Sequence, residues 1–418
     1  MRKMKDSGVE WLGEVPAEWA LRQAGQLADQ TKVPNEDMIE TNLLSLSYGK
    51  VKRRDINATD GLLPASFETY NVIEPNDIVL RFTDLQNDQK SLRVGRATER
   101  GIITSAYVTV RPLNPSYSRF MYYALHAYDL RKGFYGMGAG VRQGLKWQEA
   151  KYIKLPWPDD AERDRIADFL DEKCDEIDRA VSAAERSIEE YKAYKNSIVN
   201  QIITKGLNSD VPMKDSGVEW LGEVPAEWAL RQAGQLADQT KVPNEDMIET
   251  NLLSLSYGKV KRRDINATDG LLPASFETYN VIEPNDIVLR FTDLQNDQKS
   301  LRVGRATERG IITSAYVTVR PLNPSYSRFM YYALHAYDLR KGFYGMGAGV
   351  RQGLKWQEAK YIKLPWPDDA ERDRIADFLD EKCDEIDRAV SAKQAIIADL
   401  KAYKQSLIYE VVTGKREV

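Results

Sequence analysis

The segment from Met4 to Ala183 recurs residue for residue from Met213 to Ala392, at a constant offset of 209. A period this long is far beyond the ~20–50 residues of a solenoid unit, so each copy is a domain with something attached. Identity then stops at a sharp edge. The first copy continues AERSIEEYKAYKNSIVNQIITKGLN and the second KQAIIADLKAYKQSLIYEVVTGKREV, two tails alike in pattern and different in sequence. Gradual divergence would scatter changes along both copies, so the edge indicates a recent copy-and-replace event, by recombination or in the laboratory. The tails are the older framework.

The length of 418 residues fits two to four domains. With 42% apolar and 29% charged residues the chain reads as globular, neither disordered nor fibrous. Its formal net charge of −4 excludes a protein that coats polyanions generally, so any nucleic-acid site must be a local patch. Two Cys and two His are too few for a structural zinc site, which takes four such ligands from one neighbourhood. Cys174 and Cys383 could form one disulfide, although a lone cysteine at an apolar helical position more often packs as a small core residue. The start MRKMKDSGVEWLGEVP lacks the apolar centre of a signal peptide, and no stretch approaches a membrane span, so a cytoplasmic protein without membrane contact is expected.

Within a copy, the runs 42–47 (NLLSLS), 77–82 (DIVLRF) and 102–110 (IITSAYVTV) read as strands bounded by Gly, Pro and Asn. The run 116–132 reads as an amphipathic helix with Ser116 near its start and Gly133 at its end. Pro156 and Pro158 end the globule, and a charged helical stretch follows without Gly or Pro until Gly206. Its apolar stripe steps by four and three through Leu170, Cys174, Ile177, Val181, Ala184, Ile188, Tyr191, Lys195, Ile198 and Ile202. The second copy gives Leu379, Cys383, Ile386, Val390, Lys393, Ile397, Leu400, Lys404, Leu407 and Val411. A heptad stripe sustained this long signals a coiled coil, the plainer alternative being a helix packed on its own globule.

The tails favour a pair, because they keep Ile188/Ile397, Ile198/Leu407 and Ile202/Val411 apolar while most exposed residues change. Lys195 and Lys404 interrupt the stripe at matching places and Lys393 in the second copy alone, either setting register or snorkelling outwards. The expected fold is α+β: globules over residues 1–159 and 213–368, spacer helices over 160–206 and 369–418, and a linker over 207–212. Antiparallel pairing of the helices would give a dumbbell with pseudo-twofold symmetry.

Residues 1–160 hold 22 Lys+Arg against 20 Asp+Glu, a net +2, whereas residues 161–205 hold 8 against 11, a net −3. That asymmetry has the right sign for globules that touch a polyanion and a spacer that does not. Bases cluster at Lys50, Lys52, Arg53 and Arg54, at Arg93, Arg96 and Arg100, and at Arg131, Lys132, Arg142 and Lys146, the last set around a Gly-rich loop with Tyr135 and Gln143. The second copy repeats them as Lys259, Lys261, Arg262, Arg263, Arg302, Arg305, Arg309, Arg340, Lys341, Tyr344, Arg351, Gln352 and Lys355. Lys and Arg neutralise phosphates, and Arg and Gln make bidentate contacts to base edges. A charge run is also the ordinary composition of a solvated face.

No catalytic constellation accompanies these bases. There is no phosphate-cradling G-x-x-x-x-G-K-[ST] and no Pro-Pro pair of the kind an amino-methyltransferase motif requires. His126 lies inside the expected helix without a visible catalytic partner, and Asp84, Asp88 and Glu99 match no metal motif.

The stretches Ser7-Gly-Val-Glu-Trp-Leu-Gly-Glu-Val-Pro-Ala-Glu-Trp19, Gly138-Ala-Gly-Val-Arg-Gln-Gly-Leu-Lys146, Leu155-Pro-Trp-Pro158, Ile166-Ala-Asp-Phe-Leu170 and Val411-Val-Thr-Gly414 together resemble the DNA-specificity subunit of type I restriction-modification systems. The resemblance covers the whole chain in the family's order of recognition domain, helix, recognition domain, helix. It implies a non-catalytic reader of double-stranded DNA, in which two target-recognition domains each read half of a gapped site and the helices act as the ruler. Two adenine methyltransferase subunits would dock along the helices, and motor-nuclease subunits would join for cleavage. S-adenosylmethionine, ATP and magnesium would come with those partners, and this chain itself would bind no cofactor.

In that family the two recognition domains usually differ. Two identical ones imply a gapped inverted repeat. A helix of about 45 residues is roughly 66 Å long, which caps the half-site separation at roughly two DNA turns. Two other readings stay open: a structural coiled-coil scaffold, and a stand-alone DNA-modifying enzyme whose motif is not visible.

Overall fold

The computed structural model describes residues 2–57, 64, 66–88, 90–137, 144–266, 273, 275–297, 299–346 and 353–418. Its α-helices are α1 (Ser118–Leu130), α2 (Trp147–Ala150), α3 (Asp160–Lys205), α4 (Tyr326–Leu339), α5 (Trp356–Ala359) and α6 (Asp369–Val412). The chain divides into two compact units that do not follow sequence order: residues 1–185 with 394–418, and residues 186–393. Each unit therefore takes the first half of one long helix and the second half of the other. No described helix is long and apolar enough to cross a membrane.

In the first unit an antiparallel sheet runs in the order Ala28–Thr31, Val108–Pro112, Ile78–Leu80, Val94–Arg96. The apolar run at 102–110 is two strands rather than one, Gly101–Ile103 and Val108–Pro112. Thr104 breaks it, its carbonyl accepting from the Tyr107 N–H and its hydroxyl from the Ala106 N–H. Pro156 does not end the globule either. It sits inside the strand Lys154–Trp157, which among the described residues pairs with Ala20–Gln23 alone, so the missing N–H falls in a two-stranded ribbon that tolerates it.

Helix α1 covers the sheet with Phe120, Met121, Ala124 and Leu125 buried. Its end departs from the sequence expectation: Lys132 takes the left-handed conformation (φ 59°), not Gly133. Gly133 is required by space, since a Cβ there would lie 2.3 Å from the Tyr128 ring. A short hairpin, Leu44–Ser47 with Lys50–Arg53, lies against the sheet strand Val94–Arg96. Gly95 lets it do so, because a Cβ there would come within 2.4 Å of Leu46.

The first half of α3 buries Ile166, Leu170, Cys174, Ile177 and Val181 in the same core as Leu407, Ile408, Val411 and Val412 of α6. The two helices run antiparallel there: Asp178 pairs with Lys404 at 2.6 Å, and Glu185 further along α3 pairs with Lys401 further back along α6. In the second unit Lys195 pairs with Asp387 at 2.7 Å. Lys404 and Lys195, the two matched interruptions of the stripe, are thus partners of an aspartate on the facing helix, whereas Lys393 lies over the ring of Tyr191. Arg119 and Tyr123 of α1 meet Asp171 of α3 at 2.8 and 2.6 Å, fixing the helix to its globule.

Burial departs from the even stripe at the end of α3 and in the interior of α6. Ile198, Ile202, Ile397, Leu400 and Val390 are half-buried, whereas Val199, Ile203, Ile408 and Val412 are buried. At 3.6 residues per turn a 3.5-residue stripe drifts around a straight helix, and the last turns pack on a globule as well as on a helix. There Gly414 (φ 70°) lies where a Cβ would be 2.3 Å from Pro16 and 3.1 Å from Trp19. Gly206 (φ 75°) makes the equivalent approach to Trp228 in the second unit, at 3.1 Å. Cys174 and Cys383 are free and buried, as small core residues.

Because Ile408 is 1% exposed in this joint, Ile408→Ala should cost about 2–5 kcal/mol in urea unfolding. A loss below about 1 kcal/mol would mean that the end of α6 does not stay docked.

Candidate nucleic-acid interface

The expected basic clusters meet different fates in the fold. Lys50, Lys52 and Arg53 share the strand Lys50–Arg53, where alternation places Lys50 and Lys52 on one face. Lys50 turns to the helix and pairs with Asp178, as Lys259 does with Asp387. Burial opposes ionisation of Asp178, but the flanking Lys404 and Lys50 hold its carboxyl below the ordinary range. Lys52 and Lys261 are exposed and, among the described residues, have no acidic partner. Arg54 and Arg263 are engaged with neighbours.

Arg53 keeps a side chain 75% exposed although it pairs with Glu99 at 2.5 Å, and Arg262 pairs with Glu308 in the same way. Arg100 bridges Glu40 and Glu74, and Arg309 bridges Glu249 and Glu283. Arg96 and Arg305 are half-buried and donate to Asn76 and Asn285. Asp84, Asp88 and Glu99 do not converge: Glu99 serves Arg53, while Asp88 serves Arg81 and Ser91. Hydrogen bonding from Ser91 lowers the Asp88 carboxyl to about 2.

Arg93 and Arg302 are corrections to the sequence reading. Both are 0% exposed, and neither can reach a ligand on the surface. Tyr135 and Tyr344, also read as candidates, are half-buried and accept from those arginines at 3.2 and 3.1 Å. Lys132 and Lys341 lie over the same tyrosine rings. Lys146 and Lys355 are exposed at the starts of α2 and α5. Arg142, Gln143, Arg351 and Gln352 lie outside the described residues.

Arg131 and Arg340 show that identical sequence does not give identical surroundings. Arg131 lies 4.8 Å over the ring of Tyr409, whose hydroxyl donates to the Trp11 carbonyl. The residue at the Tyr409 position of the other tail is Asn200, whose buried Oδ1 has no partner among the described residues.

His126 is buried on α1, its ring stacked on Tyr122, and burial with nearby Lys404 lowers it to about 4. One turn on, Asp129 accepts from the Arg93 N–H at 2.6 Å, while burial pushes its carboxyl up to about 6. His335 and Asp338 repeat both shifts. The two have opposite consequences. The raised carboxyl contributes stability present below the unfolded value of 3.8 and lost as pH rises through about 6. The depressed imidazole contributes stability present above 6.5 and lost as pH falls through about 4. Asp129→Asn with Asp338→Asn should therefore steepen the rise of the urea midpoint between about pH 4 and 6. An unchanged slope would mean that these carboxyls titrate normally.

No protein-family model matches the chain, and no curated protein sequence does. Solved structures do match. A chain from work on complex assembly and conformational transition of the type I R-M system superposes with a TM-score of 0.65 at 13% identity, over 96% of this chain and 99% of that one. The HsdS subunit from Thermoanaerobacter tengcongensis gives 0.47 at 13% identity, over 96% and 98%. The type I restriction-modification S subunit from M. genitalium gives 0.42 at 14% identity, over 94% and 96%. Over nearly its full length, the chain shares the fold of the chain solved for the type I R-M system.

Proposed function

We propose that this chain is the sequence-specific, non-catalytic DNA-binding subunit of a type I restriction-modification complex. The observation that carries the reading is a fold matched over nearly the whole of both chains, in which identical globules each hold the same antiparallel helix pairing. Among the described residues, exposed Lys52, Arg53 and Lys146 and their copies supply the kind of cation that contacts phosphates and positions a protein on a duplex. The chemistry of methylation and cleavage belongs to the partners: two adenine methyltransferase subunits using S-adenosylmethionine, and motor-nuclease subunits using ATP and magnesium.

Identical globules read identical half-sites, so the target is a gapped inverted repeat: a short sequence, an uncontacted spacer and the reverse complement. Helices α3, of 46 residues, and α6, of 44, set the gap in this reading.

Co-expression with an adenine methyltransferase subunit in an unmethylated host, followed by long-read mapping of methylated adenines, should return one gapped palindromic motif. A formed complex that methylates nothing would overturn the function, and an asymmetric motif would overturn the equivalence of the globules. Deleting one heptad from each long helix should change the gap or abolish methylation. An unchanged motif would refute the ruler.

A further inference from the structure

Thr83–Asp88 has no regular structure, yet one solvent-excluded side chain fixes its backbone. The Arg93 guanidinium donates from Nη1 to the carbonyl of Thr83 at 2.6 Å, and from Nη2 to the carbonyls of Asp84, at 3.3 Å, and Asp88. Its Nε donates to the Tyr135 hydroxyl at 3.2 Å. Arg302 does the same for Thr292, Asp293 and Asp297. A buried cation is costly unless its donors are satisfied, and here they are directed mainly at the backbone of one loop.

The loop's side chains divide accordingly. Leu85 points into the core at 0% exposure, whereas Gln86 and Asn87 are exposed. Asp84 takes a left-handed conformation (φ 57°), and its carboxylate accepts from Asn87 Nδ2 at 2.8 Å. The Leu145 N–H donates to the Phe82 carbonyl at 3.1 Å, which joins the chain leaving the Gly-rich segment to the foot of this loop. In the second unit Thr292, Asp293, Asn296 and Gly353 line an open cavity of about 500 Å³ between the two.

We infer that this loop reads base edges, with Gln86 and Asn87 (Gln295 and Asn296 in the second unit) as the specifying side chains and Arg93 and Arg302 as their positioning residues. The inference rests on the proposed DNA-reading function. Amide side chains match the donor and acceptor pair on the adenine edge, and carboxylates accept from cytosine. The loop's own carboxylates, Asp84 and Asp88, disfavour a phosphate at the same place.

The test uses the full chain in complex with its methyltransferase partner, binding duplexes that carry the mapped motif or single-base changes in it. Gln86→Ala with Gln295→Ala, or Asn87→Ala with Asn296→Ala, should reduce discrimination about 5- to 150-fold at one symmetric pair of positions and leave the salt dependence of binding unchanged. Arg93→Lys with Arg302→Lys keeps the charge and loses the fork, so it should relax the same positions. The exposed amide variants keep the test open if the lysine variant fails to fold. Full discrimination in both amide pairs, or a uniform loss across all sequences, would overturn the inference while leaving the parent complex a DNA reader. A parent complex without sequence preference would overturn both.

Discussion

Asp178 and Asp387 each stand where three elements meet: a long helix, the helix that faces it, and the basic hairpin of the globule. Asp178 takes Lys404 from one side and Lys50 from the other, and Asp387 takes Lys195 and Lys259. Apolar seams alone specify register weakly, because sliding by a turn still buries leucine against isoleucine. A partly buried carboxylate between two lysines penalises that slide, since the shift would leave it unpaired where water reaches it poorly. The same contact ties the hairpin to the helix. Helix register and the seating of the hairpin are thus coupled at one residue in each unit.

Much of this was legible in the sequence. The repeat announced two equivalent globules, and the heptad stripe announced that α3 and α6 need a facing partner. Lys195 and Lys404 were visible as matched interruptions, but their aspartate partners lie 192 and 226 residues away, beyond any local pattern. The outer-turn shift from Ile198 to Val199 was not legible, because it depends on which side a globule packs. The charge clusters misled most. A sequence displays every arginine alike, and only the fold shows that Arg93 is buried among carbonyls while Arg53, forty residues earlier, stays at the surface.

The diverged tails explain how a copied globule can be accommodated. Both tails keep a buried threonine, Thr204 or Thr413, whose hydroxyl donates back to the carbonyl four residues earlier, and a glycine that presses on Trp228 or Trp19. Those features belong to the socket and recur. Tyr409 and Asn200 differ at the socket's edge, where Tyr409 donates to the Trp11 carbonyl and carries Arg131 on its ring. Docking chemistry is common to the units, and the trim around it is not.

A reader that must change its target without losing its fold needs rigidity in the backbone and freedom in the side chains. Arg93 supplies the first for Thr83–Asp88 because it grips carbonyls, groups that every residue carries. Substituting Gln86 or Asn87 leaves those bonds intact, since neither side chain contributes to them. The cost falls on Arg93 itself and on Asp129, which holds its N–H with a carboxylate that burial would rather keep protonated. The buried charge rests on two residues away from the surface, and this leaves the exposed positions Gln86 and Asn87 outside the bonds that hold the loop.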